Sequence, residues 1–96
     1  MAILQSKIIL LENKKTSIRL AKEEWEAIDS ISQKENIKRN SLIEQINLIK
    51  SKNISLTSSI RLFSIIYFYT ELINLQKQNK NNTNHLSISE AIHGII

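Results

Sequence analysis

Residues 15–50 read KTSIRLAKEEWEAIDSISQKENIKRNSLIEQINLIK, and the order of patterns in this stretch decides the fold. Across 15–20, Thr16, Ile18 and Leu20 alternate with Lys15, Ser17 and Arg19. Period-two alternation assigns the apolar set to a core-facing side of a strand and the set Lys15, Ser17, Arg19 to the outward side. The strand runs almost directly into residues 22–35, where Trp25, Ile28 and Ile31 recur at helical spacing. Glu23, Glu24 and Glu26 fall in the first turn, where negative charge suits the positive end of the helix dipole. Asn36 follows the last periodic residue, and asparagine tolerates the left-handed backbone that ends a helix. A second amphipathic helix over 39–50 carries the stripe Leu42, Ile43, Ile46 and Ile49.

Outward from this stretch, residues 7–12 form another β-prone run, and Asn13-Lys14 between the two runs reads as a two-residue hairpin turn. That hairpin places Ile8 and Leu10 beside Ser17 and Arg19 on the outward face. On the C-terminal side, Ser51, Lys52 and Asn53 make a polar break. A third helix then starts near Ser55 or Thr57, either of which suits an N-cap, and runs to about Leu75. Its apolar residues go nearly all round, which predicts burial on more than one side. Residues 1–75 thus read as the domain and 76–96 as a polar flexible tail, with a weak helical pattern through Leu86, Ile88 and Ile92 near its end.

Ninety-six residues allow one domain whose core is marginal for a lone chain. A strand as short as TSIRL cannot stand alone, and the stripe Leu42, Ile46, Ile49 needs covering; a second copy supplies both, which predicts an obligate homodimer. The absence of cysteine excludes disulfides, thiolate zinc sites and cysteine nucleophiles. His85 and His93 lack the spacing and carboxylate partners of a metal or catalytic site. With no glycine-rich phosphate loop and no set of nucleophile, base and oxyanion donors, neither an enzyme nor a cofactor is expected. The most apolar stretch, residues 62–73, falls well short of the roughly 20 residues of a membrane span. The expectation is a cytoplasmic protein without membrane contact. A net charge of +4 is compatible with a nucleic-acid partner without demanding one.

The sequence order strand, acidic helix, tight turn, helix in residues 15–50 resembles the ribbon-helix-helix family of DNA-binding proteins, with an Arc-repressor-like fold. KTSIRL followed by a helix with Trp25 near its start, and then LTSSIRLF, resembles a longer bacterial subgroup with a third helix. The resemblance implies a mainly α fold with a short β-ribbon: an intertwined dimer with an N-terminal strand or hairpin and an additional C-terminal helix. It further implies that the outward residues Lys15, Ser17 and Arg19 touch base edges in the major groove of double-stranded DNA, and that the start of the second helix, Lys38, Arg39, Asn40 and Ser41, anchors a phosphate. Arginine and lysine suit guanine O6 and N7, and a helix start offers free N–H groups to an anion. Where the family has a glycine in the inter-helix turn, this chain has Asn36, and where it has a small hydroxyl cap this chain has Lys38. The function that follows is a dimeric, sequence-specific transcriptional regulator of repressor type. The alternative is a protein-interaction module, antitoxin-like, that binds a partner protein through the third helix or the C-terminal tail.

Overall fold

The computed structural model describes residues 3–78. Two strands, β1 (Leu4–Leu11) and β2 (Lys14–Ala21), form an antiparallel hairpin, and three helices follow: α1 (Lys22–Lys34), α2 (Arg39–Ile49) and α3 (Leu56–Gln78). The greater part of the expected tail, and with it His85 and His93, lies outside the described residues.

The hairpin turns at Glu12 and Asn13, both with positive φ (51° and 65°), one residue earlier than the expected Asn13-Lys14. A two-residue turn with both residues left-handed matches the twist of the flanking strands. Asparagine accepts that backbone, and the partners that hold β1 at Gln5 and Leu10 fix the strand it must close. The register is Leu10↔Lys15, Ile8↔Ser17 and Ser6↔Arg19. It differs by two from the expected one, so every side chain keeps its predicted face. Ile9, Ile18 and Leu20 point into the core, and Ile8 and Leu10 remain outside with Lys15, Ser17 and Arg19.

α1 opens with one half of a capping box: the Glu24 carboxylate accepts the Ala21 N–H at 2.7 Å, while Ala21 has no side-chain acceptor to return. Its end is a Schellman turn built as the sequence suggests. Asn36 adopts φ 56°, its N–H reaches the Gln33 carbonyl, and the Ile37 N–H reaches the Ser32 carbonyl. α2 starts at Arg39 with Lys38 as its N-cap and no side-chain cap. Ser55 caps α3, its hydroxyl accepting the Ser58 N–H at 3.1 Å.

A single core joins all five elements: Ile9, Ile18, Leu20, Trp25, Ile28, Ile31, Leu42, Ile43, Ile46, Ile60, Phe63 and Tyr67. Two expectations change here. Leu42 and Ile46 are fully buried within one chain, because α3 lays Ile60, Phe63 and Tyr67 over the α1–α2 layer. β2 has a strand partner, β1, in the same chain. The strand therefore has a partner and Leu42 and Ile46 are covered without a second copy, while Ile49 at the end of the stripe stays exposed. The expectation that α3 is buried on more than one side also fails: the opposite side of the helix, with Ile65, Phe68, Tyr69, Leu72 and Leu75, is exposed.

Candidate nucleic-acid interface

Trp25 is the junction from which the outer face is built. Its ring is buried, and its Nε1–H donates to the Gln5 carbonyl at 2.9 Å, holding β1 to α1. Two cations cover the ring, Lys7 Nζ at 5.7 Å and the Arg39 guanidinium at 5.3 Å from its centroid. Arg39 also makes a bidentate pair with Asp29, both contacts at 2.7 Å. That hydrogen bond raises the Arg39 pKa against the opposing effect of burial, so the cation is fixed.

Asn40 acts on the strand beside it. Its side-chain amide accepts the Leu10 N–H at 2.8 Å and donates to the Leu10 carbonyl at 2.8 Å, as a neighbouring strand would, and it also donates to Glu44. The start of α2 is thereby clamped to the outer edge of β1.

This clamp also defines the other edge. Leu10 spends both main-chain groups on Asn40, so Leu10↔Lys15 is a non-hydrogen-bonded pair of the ladder. In an antiparallel ladder the two kinds of pair alternate. The N–H and C=O groups of Lys15, Ser17 and Arg19 therefore point away from β1, to the far edge of β2, where no strand lies among the described residues. Their side chains are exposed on the outward face. One edge thus combines free main-chain groups with Lys15, Ser17 and Arg19.

The structure brings Lys15, Ser17 and Arg19 together on one face, as the alternation predicts, and shares that face with exposed Leu4, Ile8 and Leu10. It separates the second expected group. Lys38 and Ser41 are exposed at the α2 start, while Arg39 and Asn40 are engaged within the chain by Asp29, Trp25 and Leu10. Two structural residues carried little sequence signal, Asp29 and Asn40, since each acts across elements. Glu24 sits three residues after the cap, where a capping-box carboxylate belongs, and it also holds Arg61 at 2.5 Å. Burial pushes the Glu24 pKa up, but the Arg61 hydrogen bond, the Ala21 N–H and the Arg61 charge together outweigh it and bring it below the usual value. At the far end of the core, Tyr67 donates to Glu35; burial first and that carboxylate second raise its pKa strongly.

Among the described residues no group of three or more His, Asp or Glu is placed to hold a metal, and no helix is long and apolar enough to cross a membrane. The ribbon-helix-helix domain family matches residues 4–68, from the first strand through most of α3. The chain belongs to the ribbon-helix-helix family, whose members are typically DNA-binding transcriptional regulators rather than enzymes. An uncharacterized protein from Bordetella pertussis Tohama I is similar in structure, with a TM-score of 0.65 and 20% sequence identity; the match covers 95% of this chain and 76% of that one. At that identity the likeness speaks for the fold. No curated protein is similar enough to match.

Proposed function

We propose that this chain is a cytoplasmic, sequence-specific DNA-binding regulator that acts as a homodimer, formed by pairing β2 with β2 of a second copy. The observation that carries the reading is the far edge of β2. The register that uses all three free residues puts Ser17 on the two-fold axis and Lys15 opposite Arg19 of the other copy. The sheet then has the order β1-β2-β2-β1.

The dimensions limit what enters the groove. Strands lie about 4.8 Å apart, so the outer strands of this sheet are about 14 Å apart. The major groove is about 12 Å wide. The two central strands enter it with Lys15, Ser17 and Arg19 facing the base edges, and Ile8 and Leu10 flank them at the groove walls. Lys38, Ser41 and the uncapped first turn of α2 lie beside the ribbon's outer edge, suited to a phosphate. Arg39 and Asn40 contribute to that anchor by holding α2 in place.

The register has an electrostatic consequence. Lys15 and Arg19 from both copies put like charges opposite each other, which opposes pairing in the free protein. Duplex DNA neutralises them. Added salt should strengthen the free dimer by screening and weaken the DNA complex by counterion competition. Sedimentation equilibrium and duplex binding, each across a salt series, test this pair of opposite signs. Loss of the reading follows if the chain ignores duplex DNA at every salt concentration. The exposed side of α3 favours a protein-contact role in addition to this one.

A further inference from the structure

The outer side of α3 has no part in the DNA reading. Leu62, Ile65, Phe68, Tyr69, Leu72 and Leu75 are 37–66% exposed there. Ile65, Phe68, Leu72 and Leu75 follow a spacing of three, four and three residues. That is the narrow seam by which one helix packs against another in a coiled coil, in contrast to the broader stripe of a helix lying on a globular core. The seam is free of unpaired charge: Arg61 is bonded to Glu24, Glu71 to Lys34, and Lys77 lies past its end. Beside it α1 and α3 leave a largely apolar cavity of about 240 Å³, walled in part by Ala27, Ile60, Ile65 and Phe68.

We propose that this face is a second interface between copies of the chain, α3 packing against α3 in antiparallel fashion. The seam is self-complementary when reversed about Thr70. Ile65 then meets Leu75 of the second copy and Phe68 meets Leu72, so every layer is apolar on both sides. Leu75 of the second copy comes to the mouth of the α1–α3 cavity beside Ile65. No like charges meet along the seam, and none selects a partner of different chemistry. Full coverage of the six side chains removes up to about 700 Å² per copy, or about 1,400 Å² in total, within the range of specific interfaces. The contact leaves both strands free, so it would join ribbon dimers in pairs.

The natural chain lacks cysteine, which makes an engineered cross-link unambiguous. In the full chain, Ile65→Cys together with Leu75→Cys should form a covalent dimer on mild oxidation. Each single variant should not, because the two copies of one position lie about 15 Å apart along an antiparallel pair, beyond disulfide reach. Leu72→Glu should halve the particle mass in sedimentation equilibrium and weaken association at least ten-fold, with an unchanged helical circular dichroism spectrum. Should that variant unfold, the cross-link carries the test. Cross-linking by either single variant overturns the antiparallel register. Absence of a cross-link in the double variant overturns the interface. If the thiol introduced by Ile65→Cys is protected from alkylation within a monomer, and truncation after Gln78 removes that protection, the face belongs to residues 79–96 of the same chain and the proposal is overturned as well.

Discussion

The hairpin has two edges, and the chain clamps one of them at Leu10 and leaves the other unclamped. The β1 edge is clamped by a side chain at Leu10, where Asn40 takes both main-chain groups, and Trp25 separately ties the strand to α1 through the Gln5 carbonyl. The β2 edge presents Lys15, Ser17 and Arg19 with no strand beside them among the described residues. An open strand edge is a template for pairing, which proteins normally cover, shorten or charge. Here the charges on it suit both purposes: they discourage indiscriminate pairing and they match a polyanion. A similar division holds for α3, whose inner side covers Leu42 and Ile46 of the α2 stripe while its outer side stays exposed. The surfaces that build the core are thus distinct from those proposed for association.

The largest expected effect tests the closed part. Ile46→Asp puts an unpaired carboxylate into a fully buried site, at a cost of several kcal/mol, comparable with the whole stability of a small domain. Denaturant unfolding should show no folded baseline at neutral pH; a cooperative transition near that of the wild type would mean that α3 does not close over α2. On the open edge, Ser17→Pro removes an N–H that β1 does not use. The monomer should stay folded by circular dichroism, while duplex binding falls by at least 100-fold. Unfolding of this variant would show that the edge is part of the fold.

Smaller changes sharpen the contrast between the edges and between the two candidate groups. Arg19→Ala should weaken the preferred site by about 1–3 kcal/mol and relax preference at one base pair per half-site. Lys38→Ala should weaken all sequences alike and flatten the salt dependence. Parallel losses for specific and scrambled duplexes with Arg19→Ala would show that the strand does not read bases. Asn40→Ala on the closed edge frees the Leu10 groups to water and should cost about 1 kcal/mol of stability, read as a shift in the denaturation midpoint.

Much of this was legible because it is local. Alternation in KTSIRL sets the two faces of β2, Asn36 marks the left-handed end of α1, and of the two candidate caps Ser55 and Thr57 the structure uses Ser55. The turn lies one residue before Asn13-Lys14 because Glu12, a poor left-handed residue, is held there by contacts that join residues 30 and 20 positions apart, Asn40 with Leu10 and Trp25 with Gln5. Asp29 and Arg39 are only ten positions apart but sit on different helices, so their pairing is not visible in the pattern of either helix. Apolar residues all round α3 do not say which side finds a core, so the sequence does not show that α3 covers Leu42 and Ile46 within the same chain.

A further effect, smaller than these, concerns pH. Burial pushes the Glu24 carboxylate up, and its bonds to Arg61 and Ala21 outweigh that push and leave its pKa lowered in the folded chain. A group whose folded pKa lies below its unfolded one contributes stability above the unfolded value and loses it as pH falls through the folded one. Glu24→Gln should therefore lower stability at neutral pH and reduce its loss on acidification below the usual carboxylate range. Equal acid slopes for the two proteins would remove Glu24 from that account.

In the proposed complex, DNA-linked pairing of β2 with β2 completes the open edge. Residue-resolved amide hydrogen exchange tests it most directly, with the protein alone and with a duplex selected from a random pool. Leu10, bonded to Asn40, should be protected in both samples. Lys15, Ser17 and Arg19 should exchange fast in the free chain and become protected together in the complex. Fast exchange at those three amides in a saturated complex, with Leu10 still protected, would contradict it.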